Sequence, residues 1–305
     1  MEMRSFNPSD LHIKDLHQYI VGAIAPRPIA FASTIDENGN ANLAPYSFFN
    51  AFSSNPPILI FSSNRRVQDN TTKDTLHNVE KTKEVVINVV NYDIVRQMTI
   101  ASVNYEPEIS EFEKSGLTPI PSETVKPFRV KESPVQFECK VKEVITLGEH
   151  GGAGHLIICE VQRMHVKESV IDEKNRIDPN KLDLVGRLGR AYYVRASGDA
   201  LFTLFQEPEQ MAIGFDKLPE SIRHSSILSG NEIACIATQT ALPTEEDIKK
   251  VMEEDTEIQG ILQSNAGHPD MLLRDMHRYA KNAIEQEAYR YAFCVLLIAD
   301  QHTKK

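Results

Sequence analysis

Short apolar runs set between turn residues dominate the first two-thirds of the chain. Residues 24–34, rich in Ile, Ala and Phe, predict a strand that ends at Asp36-Glu37-Asn38-Gly39-Asn40. Asn-Gly accepts positive φ at both positions and signals a hairpin, so a second strand is predicted over 42–49. Pro56-Pro57 should then stop ladder pairing before a short apolar strand at 58–62. Residues 71–82 predict a helix capped by Thr72 or Asp74, with Leu76, Val79 and Lys83 at i, i+3, i+7 spacing. The β-branched run 85–90 predicts a buried strand, and 92–103 a second helix with Ile94, Met98 and Ala101 on one side. The prolines of 115–127 predict an extended surface loop. Segments 135–147 and 155–166 alternate apolar and polar positions around Gly148-Glu149-His150-Gly151-Gly152-Ala153-Gly154, a long hairpin with a glycine-rich turn. Residues 180–195 are less regular.

From about Leu201 the pattern turns helical. Thr244-Glu245-Glu246-Asp247 reads as a cap with an acidic first turn, and 271–299 keeps one apolar stripe through Leu272, Met276, Tyr279, Ala283, Ala288 and Ala292. The chain is therefore expected to be mainly β with added α, in two parts: 1–205, and a helical C-terminal extension over 206–305.

The 305 residues are 41% hydrophobic, enough for a sizeable core. Lys+Arg 33 against Asp+Glu 43 leaves a net charge of −10. A surface of that sign repels a phosphate backbone, so no nucleic-acid partner is expected, while a local basic pocket for one small anion stays open. No apolar run approaches the ~18 residues of a membrane helix. Residues 1–10 carry charges and Asn-Pro where a signal peptide would be apolar. Cys139, Cys159, Cys235 and Cys294 lie far apart without a C-x-x-C, as expected of reduced thiols in a cytoplasmic protein, although Cys139 and Cys159 could face each other across the long hairpin. Nucleophile-elbow, zincin, P-loop and Rossmann signatures are missing, and the scattered histidines suggest no metal site.

Two neighbouring clusters carry chemistry. Tyr46, Phe48 and Phe52 offer flat apolar surface, with Ser47, Asn50 and backbone N–H groups as donors beside it, which suits a planar heteroaromatic ligand with a polar edge or, equally, an aromatic core strand with a polar turn. Ser62-Ser63-Asn64-Arg65-Arg66 and Asn70-Thr71-Thr72-Lys73-Asp74-Thr75 place cations and hydroxyls near a helix N-terminus, either an anion site or a solvated basic loop.

The order of these residues resembles a known family. Pro26-Arg27-Pro28-Ile29-Ala30-Phe31-Ala32-Ser33-Thr34, Asn38-Gly39-Asn40, the run from Asn42 to Asn50, Pro56-Pro57, Lys73-Asp74-Thr75 with Asn78, and Val85-Val86-Ile87-Asn88 are similar to the flavin reductase-like, FMN-binding split-barrel family that includes the flavoredoxins. So are the strands around 155–166 and Gly186-Arg187-Leu188-Gly189 with Tyr192 and Tyr193, and the likeness covers about 15–195. It implies a six-stranded antiparallel Greek-key split barrel that forms a homodimer with FMN near the subunit interface. It also implies that Tyr46, Ser47, Phe48, Phe49 and Asn50 lie along the isoalloxazine and that Ser62, Arg65, Lys73 and Thr75 reach the phosphate. The activity it implies is hydride transfer from NADH or NADPH to flavin N5, with no catalytic side chain required. A flavoredoxin-like electron carrier with a redox partner protein, and a cofactor-less interaction module, remain alternatives. Arg190 departs from the pattern, standing where the family often has a second glycine, and the helical tail lies outside the family domain.

Overall fold

The first strand begins later than the apolar run 24–34 predicts, because the segment before it turns sharply. In the computed structural model, which describes residues 2–106, 109–204 and 209–304, helix α1 (Ile13–Ala23) is followed by a cis Ala25–Pro26 bond and then by strand β1 (Ala30–Ile35). The Asn-Gly hairpin forms as its chemistry dictates. Asp36 Oδ1 accepts the N–H groups of Asn38 and Asn40 at 2.9 and 2.8 Å, Gly39 takes φ +95°, and β2 (Ala41–Tyr46) returns along β1. The predicted strand 42–49 is two strands, since the chain turns a corner at Ser47 and Phe48 before β3 (Phe49–Ser54). Pro56-Pro57 does not end the pairing. The cis Asn55–Pro56 bond sits in a tight turn and Pro57, first residue of β4 (Pro57–Ser62), pairs with Ser54.

Helix α2 (Asp74–Thr82) and β5 (Glu84–Val89) follow, then α3 (Val95–Ile100) and α4 (Glu111–Ser115). The proline-rich loop is not wholly at the surface: β6 (Pro119–Ile120) pairs with β7 (Arg129–Val130), and Leu117 and Val130 are buried. The long hairpin is β8 (Val135–Thr146) and β9 (His155–Val166). Beyond it, α5 (Pro179–Leu182) leads into a ribbon of β10 (Leu184–Arg187) and β11 (Tyr193–Ala196).

The main sheet has seven antiparallel strands, not the six the resemblance implies, in the order β2-β1-β5-β8-β9-β4-β3. Its edge strands are consecutive in the chain. Laid flat, seven strands about 4.8 Å apart would hold their edges roughly 29 Å from each other. Three Cα steps through Ser47 and Phe48 reach about 11 Å at most, so the sheet must curl until its edges meet at that corner. Alternate residues then line the inside: Ala30, Ala32, Tyr46, Leu59, Phe61, Val85, Ile87, Cys139 and Cys159 share one buried cluster with Leu76 and Val79 of α2. On the outer face Phe31 and Leu43 pack with Met98 of α3 and Phe112 of α4. All four cysteines are free, and burial raises the pKa of Cys139 and Cys159.

The chain divides into two compact units, Met1–Thr203 and Leu204–Lys305. The second is helical: α6 (Glu220–Arg223), α7 (Gly230–Ala237), α8 (Glu245–Glu254), α9 (Thr256–Ser264), α10 (Pro269–Glu285) and α11 (Tyr289–Thr303). Thr244 caps α8 in a reciprocal box with Asp247, as expected. The stripe over 271–299 breaks into α10 and α11. Glu287 takes φ +61° and the Ala288 N–H donates to Ala283 O at 2.9 Å, a left-handed helix stop built without glycine. Helix α11 carries the fully buried Phe293, Val295, Leu296 and Ile298, and is apolar on most sides because its neighbours surround it. Among the described residues no helix is long and apolar enough to cross a membrane.

Candidate functional site

Beyond Ser62 the chain crosses to α2 through a loop held on one flank by the β8–β9 turn. Ser63 and His155 exchange backbone hydrogen bonds at 3.1 Å, the Arg65 N–H donates to Ala153 O at 2.9 Å, and the Gly152 N–H donates to Arg65 O at 3.0 Å. A Cβ on Gly154 would stand 2.6 Å from Ser62 Oγ. The glycines therefore let the turn lie against the loop. Two predicted residues belong to this flank: Ser62 Oγ donates to Asn64 Oδ1 at 2.8 Å, and Arg65 Nη1 donates to Asn70 O at 2.9 Å.

The opposite flank opens into a narrow cleft. Lys73 and Thr75, both predicted, line it with Arg66, Asn42, Glu111 and the segment from Ala101 to Tyr105. Alternation along the loop turns Arg65 one way and Arg66 the other. Arg66 is fixed by bonds from Nη1 to Thr71 Oγ1 (2.9 Å) and Thr72 O (2.8 Å), and from Nη2 to Asn104 Oδ1 (3.3 Å). Thr75 Oγ1 donates to Asn42 Oδ1 at 2.7 Å, and Asn42 Nδ2 donates to Glu111 Oε1 at 3.0 Å. Neither Thr72 nor Asp74 caps α2. Thr72 Oγ1 is 2.7 Å from His77 Nε2, and the N-cap residue is Lys73, whose side chain makes no capping bond. The amide groups of the first turn and the positive end of the helix dipole thus face the cleft without a side-chain acceptor.

The electrostatics favour an anion. Burial first, and Arg66 second, lower the Lys73 pKa. Its ammonium stands 5.0 Å above the Tyr46 ring, and among the described residues neither Lys73 nor Arg66 joins an ion pair. Glu111 is committed elsewhere: Oε2 accepts the Leu43 N–H at 3.0 Å, and burial raises its pKa. Below the cation, the Tyr46 ring packs on Phe61 at 5.1 Å, and burial pushes its phenol up to about 12, so it stays protonated at neutral pH. The buried Tyr46 hydroxyl lies beside those of Ser63 and Thr75, and neither it nor the Ser63 hydroxyl meets an ideal partner. Cations outside any ion pair, clustered hydroxyls and an aromatic face suit a phosphorylated, flat, oxygen-rich group such as FMN.

The remaining predicted residues surround the sheet corner. Ser47 and Phe48 line a second cleft with Arg27. Phe49 packs on the interior cluster, while Asn50 is exposed on edge strand β3, its Oδ1 accepting the Ala51 N–H at 2.9 Å. Tyr46, Lys73 and Thr75 are thus brought together, while Ser62 and Arg65 stand on the far flank of the loop. The sequence points to neither Asn42 nor Glu111 as a ligand residue, and to Arg66 only as a member of the cationic cluster, not among the phosphate residues the resemblance implies. For Arg66 the signal was present in the Arg-Arg pair, but two adjacent cations cannot be told apart by side without the fold.

Residues 22–182 match the family model for the flavin reductase like domain, which stops short of the C-terminal unit. An uncharacterized protein of Aquifex aeolicus (strain VF5) is 41% identical over 184 residues, spanning 60% of this chain and 91% of its own. Nitrilotriacetate monooxygenase component B from Bacillus cereus superposes with a TM-score of 0.61 at 33% identity, covering 68% of this chain and 100% of that one. A candidate flavin reductase with split barrel domain from Shewanella frigidimarina NCIMB 400 gives 0.57 at 26% identity, covering 68% and 100%.

Proposed function

The chain belongs to the flavin reductase-like family, and from that premise we propose that it binds FMN and reduces it with NADH or NADPH. One observation carries the reading: a half-buried lysine at the uncapped start of α2, over an aromatic ring and beside Arg66, with no ion-pair partner among the described residues. Lys73, Arg66 and Thr75 hold the phosphate through charge-assisted bonds. The corner residues Ser47 and Phe48, with Phe49 and Asn50 after them, border the ring system, and backbone N–H groups there supply donors for charge that develops on it. When bound, FMN supplies the redox chemistry by accepting a hydride at N5. The protein's own share is to seat the ring, exclude water from the barrel side through Tyr46 and Phe61, and balance charge.

The same reading makes the chain a homodimer. Strand β3 is an uncovered edge whose residues after Phe49 are exposed, including Phe52 at 64%, and helix α1 exposes Tyr19 and Ile20. An open edge beside apolar surface calls for a partner.

The test is the absorbance of fresh protein reconstituted with FMN, followed by anaerobic mixing with each nicotinamide. Rapid bleaching of stoichiometric yellow flavin is expected. Bound flavin that NADH and NADPH leave oxidised would instead mark an electron carrier serving a partner protein. A protein that takes up no FMN would end the proposal and leave an interaction module.

A further inference from the structure

Behind the sheet corner lies a cleft of about 230 Å³ whose lining includes Arg27, Ser47, Phe48, Arg187 and Arg190. Three arginines line it in a protein of net charge −10. Arg27 and Arg187 face each other across an antiparallel bridge, with N–H···O distances of 2.9 and 2.8 Å in the two directions. Arg27 is only 6% exposed; Nη1 donates to Val21 O and Ile24 O, and Nη2 to Leu188 O at 3.1 Å, leaving Nε buried without a partner. Arg187 stacks 4.6 Å from the Tyr193 ring and uses Nη1 on Tyr192 O.

Arg190 makes no side-chain hydrogen bond among the described residues, and none of the three arginines joins an ion pair there. It also occupies φ +55°, at the tip of a turn closed by the Leu188 N–H to Tyr192 O at 3.0 Å. A left-handed backbone of that kind is strained for a residue other than glycine. The tip is pinned besides, since a Cβ on Gly189 would stand 3.1 Å from Gly22 Cα of α1. Three like charges held in one cleft, one of them buried, repel one another until a counter-charge arrives.

We propose that this cleft seats a carboxylate or phosphate carried by the flavin's reaction partner, with Arg190 and Arg187 gripping it over Phe48. The inference rests on the flavin reading for the identity of that partner, though not for the presence of the anion seat. A volume below the roughly 300–1,000 Å³ of whole-ligand pockets fits the charged end of a substrate and not an entire dinucleotide. The anion has two sources, a nucleotide phosphate on the hydride donor or a carboxylate on an aromatic acceptor.

The experiment is isothermal titration of the full-length protein, as purified and again saturated with FMN, with adenosine 2′-phosphate and with benzoate. Adenosine and benzamide are the neutral controls. One of the two anions is expected to bind at least tenfold tighter than its control and to weaken as salt rises. Arg190→Gln should weaken it about tenfold and Arg190→Lys less, with the thermal midpoint of the ligand-free protein unchanged or raised; Arg187→Gln should repeat the loss. Adenosine 2′-phosphate as the tighter probe assigns the donor, benzoate the acceptor. Equal binding of charged and neutral probes, or binding that Lys73→Met abolishes and Arg190→Gln leaves intact, would overturn the seat. Failure of FMN to bind would refute the flavin reading while the titration on flavin-free protein still decides this one.

Discussion

Lys73→Met separates a ligand-holding lysine from a structural one, because the two roles predict opposite signs. Burial and Arg66 lower the lysine's pKa, so the fold disfavours its charged form. For a cation with a depressed folded pKa, that penalty is fully present at neutral pH and disappears only as pH rises past the lowered value. Methionine has similar length and no charge, and can keep contact with the Tyr46 ring. The variant gives up a cation–π contact of about 0.5–1 kcal/mol and escapes both burial of charge and repulsion. The flavin-free protein should therefore melt at the same temperature or higher. FMN binding should move the other way. One charge-assisted bond to a phosphate is worth about 1.5–3 kcal/mol, or roughly 10- to 150-fold in Kd. Quenching of flavin emission on titration with flavin-free protein reads that loss, and the chain has no tryptophan to interfere. A lower melting temperature with unchanged FMN affinity would refute the assignment.

Further outcomes follow from the packing. Gly186→Ala would put a Cβ 2.8 Å from Pro26 Cβ and 3.2 Å from Val194 Cγ1; denaturant unfolding should show a loss of about 1–3 kcal/mol. Gly260 lies inside α9 with nothing within 4 Å of a Cβ, so Gly260→Ala should raise stability by about 0.5–1 kcal/mol. Burial opposes the Glu138 charge, but bonds from Thr124, the Glu123 N–H and His165 outweigh it and hold the carboxyl down at about 2. A depressed carboxyl contributes stability above its ordinary 4.5 and loses it as pH falls toward about 2. Urea midpoints of the wild type should fall through that window, and Glu138→Gln should be weaker at neutral pH with a flatter acid limb.

The long hairpin, the Asn-Gly turn and the β-branched strands were legible because side-chain alternation and turn chemistry are local. Ser47 and Phe48 hid a corner within one apolar run, since nothing in their composition distinguishes a bend from a continuing strand. Pro56-Pro57 read as a breaker because a proline's place in a hairpin turn depends on its neighbours' path. The division between α10 and α11 was masked by Glu287, which takes the left-handed position that glycine usually announces. At the site, Lys73, Thr75 and Tyr46 were recognisable as types at a spacing. The partnership of Asn42 with Glu111 joins residues 69 positions apart, and Arg27 meets Arg187 only through the fold.

The corner at Ser47 and Phe48 works like the clasp of a bracelet. Both rims of the sheet fasten there, so the wall proposed for the ring exists only in molecules that have shut completely. Any guest seated against it favours the shut form over partly sprung ones by mass action. Guest retention should then report the integrity of the whole hoop, and a residue inserted into the clasp should slacken the distant strands as much as the wall itself.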